Sequence, residues 1–254
     1  MDELVSVIMP CYNTADFIAE SIRSIQEQTY SNWELIIVDD CSTDNTQDIV
    51  AGFGDPRIRY LCNETNSGAA VTRNRAISAA RGRWIAFLDS DDLWDPEKLR
   101  RQVDFMVRGG YGFSYTGYRE MNEDGSLNGV TVTGPKHITR TGMYTYCWPG
   151  CLTVMYDTTV TGLIQIPDIK KNNDYAIWLQ VIEKADCYLL DQQLATYRKR
   201  AGSISSSGYL KLIRWHYRLF RGAMQMNPLG AFFCTGRNLV AGVLKKIIYV
   251  KRGG

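Results

Sequence analysis

Four consecutive residues carry the most chemistry in this chain: Asp89-Ser90-Asp91-Asp92, directly after the apolar run Trp84 to Leu88. Three carboxylates on one short loop repel one another, and a divalent cation among them relieves the repulsion. Loop carboxylates are preferred ligands of Mg²⁺ and Mn²⁺. The tetrad therefore reads as a metal site shared with a ligand phosphate. Its plainer reading is a helix cap, but a cap needs one such residue, not three acids. A second acid pair, Asp39-Asp40, follows another apolar run, Trp33 to Val38. A carboxylate there can accept from a base N–H or from ribose hydroxyls, or face the positive end of the next helix. Arg73, close to Asn66-Ser67-Gly68, is placed either to bind a diphosphate at a helix start or to lie on a solvated helix face. Asp174 alone reads as a helix N-cap or first-turn acid. Arg198-Lys199-Arg200 is a basic cluster, either a solvated loop or a cover over a phosphate.

The elements that must position these residues follow from hydrophobic patterning. Leu4 to Met9, Trp33 to Val38, Ile58 to Leu61 and Trp84 to Leu88 are short apolar runs that predict strands. Between them lie three helical patterns. The first runs from Ala15 to Gln28, with Phe17, Ile18, Ile22 and Ile25 at helical spacing. The second starts at Ser42, Thr43 or Asp44 and reaches Phe53; the third spans Ala69 to Arg81. Alternating strands and helices, with strands apolar throughout, imply a parallel sheet covered on both faces. Ligands bind such sheets beyond the carboxyl ends of the strands. The loops Cys11-Tyr12-Asn13, Asp39-Asp40, Asn66-Ser67-Gly68 and Asp89 to Asp92 should thus converge on one crevice. After a helix over Leu99–Val107 the pattern becomes mixed. Tyr111–Tyr118 reads as a strand and Asn122 to Gly125 as a hairpin turn. Ile177–Glu183 reads as a helix, and Cys187–Leu190 and Ala195–Arg198 as two strands. Gly202 to Gly208 reads as a linker.

The 254 residues and 45% hydrophobic content allow one large domain, or one domain with an appendage. Seven scattered cysteines, an odd number without a second close pair, favour free thiols in a reducing compartment over a zinc site. The first residues read as a strand, not a secretion signal. No apolar run is long enough to span a bilayer. Charge is divided unevenly. No acid follows Asp191, and twelve of the 29 Lys/Arg lie from Arg198 onward, so the part before holds 17 basic against 27 acidic residues. A basic tail on an acidic body suggests an anionic partner surface, membrane or nucleic acid; the acidic body argues against nucleic acid. Lys211, Arg214, Arg218 and Arg221 form one helical stripe, and Leu212, Ile213, Leu219, Phe220 and Ala223 fall on another face. That apolar face either enters a membrane interface or packs on the body. Pro228 ends this helix, and a second apolar-basic stretch runs from Leu229 to Arg252.

In order and spacing, the stretches Ser6 to Asn13, Ile37 to Asp44, Arg73-Asn74-Arg75-Ala76 and Phe87 to Asp92 resemble the family-2 inverting glycosyltransferases of GT-A fold, through about residue 105. The second half is similar more loosely. Asn173-Asp174 stands where the family has Glu-Asp, and Arg200 stands where its Tyr-Arg-x-His segment has His. The resemblance implies an α/β fold with a Rossmann-like nucleotide-binding half over 1–105 and a mixed α+β acceptor half over 106–207. A basic amphipathic helical tail over 208–254 completes the expected division. It also implies a nucleotide-sugar donor, with UDP expected, and Mn²⁺ or Mg²⁺ as cofactor. On that reading Pro10, Cys11, Tyr12, Asn13 and Asp39 hold base and ribose, and Asp40 supports their loop. Asn66, Gly68, Arg73, Ser90, Arg198 and Arg200 complete the substrate contacts. Asp89 meets ribose, Asp91 ligates the metal with Asp92 in support, and Asp174 is the general base. The implied acceptor is a glycan hydroxyl, on a polyprenyl-diphosphate-linked oligosaccharide of surface-polysaccharide synthesis such as O-antigen. The implied location is cytoplasmic, peripheral on the inner face of the cell membrane. Two rivals fit less well. A nucleotidyltransferase would carry a Gly-rich phosphate loop where Pro10 to Asn13 stands. A phospho-acceptor signalling domain would need a Lys partner for Asp89.

Overall fold

The computed structural model describes residues 3–167, 169–200 and 209–253, and of residues 209–211 the backbone alone. The linker expected over Gly202 to Gly208 lies outside the described residues. The first half is β1 (Val5–Cys11), α1 (Ile18–Gln26), β2 (Trp33–Asp39), α2 (Thr46–Ala51), β3 (Ile58–Cys62), α3 (Ala69–Ala79) and β4 (Trp84–Phe87). β5 (Leu93–Trp94), α4 (Lys98–Gly109), β6 (Phe113–Met121), β7 (Leu127–Val132), β8 (His137–Ile138) and α5 (Arg140–Thr145) follow. A short 3-10 turn at Cys151–Thr153 leads to β9 (Met155–Asp157), α6 (Thr158–Thr161), α7 (Asn173–Val181) and β10 (Cys187–Arg198). The tail is α8 (Tyr209–Arg218), a π-helical turn (Leu219–Ala223), α9 (Pro228–Ile248) and β11 (Val250–Arg252).

All these strands join one sheet, whose main path runs β11-β7-β6-β9-β4-β1-β2-β3. β4, β1, β2 and β3 are mutually parallel. β9 runs antiparallel to β4 and β6, and β10 runs parallel to β6. Side chains alternate across each strand, so β1 feeds two cores. Ile8 belongs to one, with Ile36, Phe87, α3, α7 and the tail residues Leu219, Phe220, Ala231 and Cys234. Val7 and Met9 belong to the other, with Leu35, Ile37, α1, α2 and α4. Helix spacing obeys the same demand: Ile18, Ile22 and Ile25 of α1, and Leu99, Val103 and Met106 of α4, are all buried. Each such side chain contributes about 1.5–3 kcal/mol on burial. The parallel register aligns Cys11 with Asp39 and Asp39 with Cys62, so three strand ends stop at one height.

Several boundaries differ from the sequence expectation, each for a reason. α1 begins three residues and α2 two to four residues later than patterning predicts, because the residues before them are bonded to neighbouring loops. Ala15 N–H donates to Asp44 and Thr43 N–H to Asn13. The two strands expected after residue 187 are one, β10, whose register against β6 shifts between Leu190 and Gln193 and again before Ala195. α7 starts at Asn173 rather than near Ile177, which puts Asp174 in its first turn. The tail is helical, as expected, but it ends in β11, which pairs antiparallel with β7 at the sheet edge. Leu219 and Phe220 of the tail's apolar face are fully buried against the body, while Ile213 of the same face stays exposed. All seven cysteines are free.

Candidate active site

The loops after β1, β2 and β3 are bound into one unit. Asp39 accepts from the N–H and Oγ of Ser42 at 2.9 and 2.7 Å and from the Tyr60 hydroxyl. Ser42 Oγ in turn accepts from Asn13 N–H at 2.8 Å, and Asn13 Oδ1 accepts from Thr43 N–H at 2.8 Å. Asn13 and Cys41 hold positive φ values of 50° and 65°, a strain these cross-loop bonds sustain. Asp40 Oδ1 accepts from Asn63 Nδ2 and Ser67 N–H, and its Oδ2 from Gly68 N–H, all at 2.8 Å. Burial pushes the Asp40 carboxyl up, but these donors and Thr72 outweigh it and hold it below the usual carboxylate range. Gly68 sits at φ 84° ahead of α3, a conformation only glycine adopts without strain. Cys11 is buried, Pro10 half-buried and Tyr12 half exposed; Asn66 is exposed.

The loop after β4 is built differently. Arg73, from α3, reaches Asp89 with Nη2 at 2.5 Å. Its Nη1 donates to Asn173 Oδ1 at 2.6 Å and lies 2.9 Å from Asp174 Oδ1. One buried guanidinium thus ties the β4 loop to the first turn of α7, a hundred residues away. Asp92 is almost fully buried and accepts from Arg198 N–H at 2.9 Å. Ser90 is buried between them in sequence. Asp91 lies 3.1 Å from Arg200 Nε. Burial, then the neighbouring Asp89, raises the Asp91 carboxyl, against the pull of Arg200 and Arg198. Burial, Asp91 and Asp89 push Asp92 well above the usual range. Burial likewise raises Asp174; Arg73 pulls it down and Asp89 adds to the rise. Even so, 39% of the Asp174 side chain stays solvent-accessible, with Oδ1 the buried oxygen.

The sequence-derived residues fall into two groups that share the carboxyl ends of the sheet. Pro10 to Asn13, Asp39, Asp40 and Gly68 line the corner after β1 to β3; Arg73, Asp89 to Asp92, Asp174 and Arg200 form the acidic cluster. Arg198 behaves otherwise than a free phosphate cover. Its Nε donates to Asp91 O, its Nη1 to Glu123 O and its Nη2 to Glu20 at 2.5 Å, and it stacks over Phe17. It fastens the loop after β4 to α1 and the β6–β7 turn. Arg75 similarly turns away, to Cys62 O and Asn63. Sequence reasoning missed Asn63, Tyr60 and Asn173, which hold Asp40, Asp39 and Arg73. The strand-end rule would have found Asn63, which directly follows β3; nothing in spacing signals the other two. Cys151 was also missed. Burial raises its thiol pKa, and the charges of Asp174, Arg73 and Asp89 act on it, placing it beside the cluster.

Comparison with known proteins agrees with this geometry. Residues 6–151 match the family model for glycosyl transferase family 2. The chain is 39% identical, over 99% of its length and 98% of the relative's, to the UDP-Glc:alpha-D-GlcNAc-diphosphoundecaprenol beta-1,3-glucosyltransferase WfgD of Escherichia coli. It is 41% identical to WfaP of Escherichia coli, which bears the same description, over 84% of each chain. Among solved structures, S. aureus TarS 1-349 in complex with UDP-GlcNAc superposes with a TM-score of 0.72 at 25% identity, covering 92% of this chain and 71% of that one. The alternating strands and helices, the acidic strand ends and these matches agree: the chain belongs to glycosyl transferase family 2 and is a glycosyltransferase.

Proposed function

We propose that this enzyme moves a sugar from a UDP-sugar to a hydroxyl of a polyprenyl-diphosphate-linked glycan, with inversion, in surface-polysaccharide synthesis such as that of O-antigen. The observation that carries the reading is the Asp89–Arg73–Asp174 connection, which spans the donor loop and the one acid poised to act as base. The substrates named for WfgD and WfaP, and the UDP-GlcNAc bound to TarS, support the donor and acceptor classes.

Base and ribose lie along Pro10 to Asn13 and Asp39, on a floor kept rigid by Asp40, Asn63 and Gly68, with the exposed Asn66 at its rim. Asp89 meets ribose beside Ser90. A divalent ion, Mn²⁺ or Mg²⁺, fits the donor set. Asp91 keeps a partly exposed carboxylate, and Asp92 supports it with one oxygen committed to Arg198. Among the described residues no group of three or more His, Cys, Asp or Glu side chains could hold a metal. An ion held by one or two carboxylates, with phosphate oxygens and water filling the rest, matches that sparse set. When bound, it neutralises charge growing on the departing diphosphate. Arg200 adds positive charge at the same loop. Asp174 takes the proton of the acceptor hydroxyl as its oxygen forms a bond to the anomeric carbon and the bond to the diphosphate breaks. Arg73 orients Asp174 and ties its position to the occupied donor loop.

The enzyme acts at the cytoplasmic face of the cell membrane, where its lipid-linked acceptor lies. Incubation with UDP-glucose, Mn²⁺ and a prenyl-diphosphate-linked GlcNAc, followed by mass spectrometry and NMR of the anomeric proton, is expected to show one added hexose with β configuration. An α-linked product, or no extension by any UDP-sugar, would overturn the reading.

A further inference from the structure

The tail's inward-facing side is accounted for: Ala231, Cys234, Asn238 and Ala241 of α9 are buried against the body. Its outward side is not. Leu229, Phe232, Phe233, Val240, Val243 and Ile247 are exposed, at 84, 74, 64, 64, 57 and 72% of their surfaces. At about 100° per residue these positions fall within one narrow stripe, along about 27 Å of helix. No charged residue interrupts it. An apolar patch this long on a monomer marks an interaction surface.

We propose that this stripe lies in the interfacial plane of an anionic bilayer and inserts its two phenylalanines among the acyl chains. The proposal rests on the lipid-linked acceptor reading and specifies how the enzyme meets that acceptor's membrane. Charge decides the occupant. After Asp191 the chain has no acid; Lys246 of α9 borders the stripe, and Arg214, Arg218, Arg221, Lys251 and Arg252 elsewhere in the tail are exposed. Cations flanking an apolar helix face complement anionic headgroups. A second copy docked on the same stripe would set these cations against one another with no acid to offset them. No helix among the described residues is long and apolar enough to cross a membrane, so α9 lies on it. This revises which element makes contact: α8 turns Leu219 and Phe220 of its continuation inward, and α9 supplies the apolar face. The contact is also rigidly linked to the chemistry. Asn238 of α9 donates to the Tyr175 hydroxyl at 3.2 Å, and Tyr175 follows Asp174 and donates to Met143 O at 2.7 Å. β11 pins the far end of α9 to the sheet.

The test is flotation of the full chain with phosphatidylcholine vesicles, with and without phosphatidylglycerol. It compares the wild type, a Phe232→Ser/Phe233→Ser/Ile247→Ser variant, and Val107→Ser on α4 as a control for exposed apolar surface. The triple variant is expected to lose at least about tenfold in partitioning onto phosphatidylglycerol vesicles, from the apolar area removed. Val107→Ser should match wild type. All three should keep the same rise in melting temperature with UDP, which separates this test from the donor reading. Undiminished flotation of the triple variant would overturn the proposal. So would sedimentation showing a wild-type dimer that the triple substitution makes monomeric.

Discussion

Asp40 and Asp92 are both nearly buried carboxylates, 4 and 1% exposed, beyond the carboxyl ends of two parallel strands of one sheet. Asp40 receives protein donors on both oxygens, and its carboxyl is held below the usual range. Asp92 has, among the described residues, one backbone donor, Arg198 N–H, two acidic neighbours, and a carboxyl pushed well above that range. The first corner is electrostatically finished by the chain itself. The second is left with surplus negative charge, against which the protein sets Arg73, Arg198 and Arg200. On the proposed function, the difference separates scaffold from reaction centre. A carboxylate whose donors come from the fold shapes a loop, and a crowded one with few donors is completed by a cation from outside.

The largest effect expected from breaking this distinction falls on the unfinished side. Asp174→Asn should lower kcat by about 10³-fold, within the usual range for a general base. Its melting temperature and UDP affinity should stay near wild type, measured by turnover, thermal shift and calorimetry. Near-normal turnover would remove Asp174 as base. On the finished side the order reverses. Asp40→Ala strands the N–H groups of Ser67 and Gly68 and the Asn63 amide, and should cost about 3 kcal/mol of stability. That corresponds to roughly 6–12 °C in Tm for a domain this size. A Tm within two degrees or so of wild type would show that the corner is not the rigid scaffold described.

A smaller effect sharpens the contrast through pH. The base must be deprotonated, so kcat/KM falls as pH drops through the Asp174 pKa. Burial raises that pKa and Arg73 lowers it. The acid limb should therefore lie above that of an ordinary carboxylate, and Arg73→Gln should move it to higher pH. A limb that stays or moves down in Arg73→Gln would contradict the linkage between Arg73 and the base.

Much of the finished corner was legible in the sequence because strand ends and acid pairs are local signals. Residues 6–105 alternate cleanly between apolar runs and helical spacing, and parallel-sheet geometry brings their ends together without further information. Asp174 reads as a helix N-cap or first-turn acid, but patterning predicts the helix itself only from Ile177, four residues after its actual start. What could not be read depends on long-range pairing. Nothing near Arg73 indicates that Asn173 and Asp174 will meet it. Nothing near Arg198 indicates that its guanidinium will be used up by Glu20, Glu123 and Asp91. Nor does a three-residue run after a long helix indicate that Val250–Arg252 will extend the sheet beyond β7. The basic stripe on α8 was visible from spacing, but which tail helix is left with an uncovered apolar face depends on docking to α5 and α7.

The central claim is that the Asp89–Asp92 loop is completed by a metal-bound nucleoside diphosphate. Calorimetric titration of UDP into the full chain, with Mn²⁺ and with chelator, tests it most directly, repeated on Asp91→Ala. The account predicts tight UDP binding with Mn²⁺, weak binding with chelator, and loss of the difference in Asp91→Ala. Equal UDP affinity with and without metal in the wild type would contradict it.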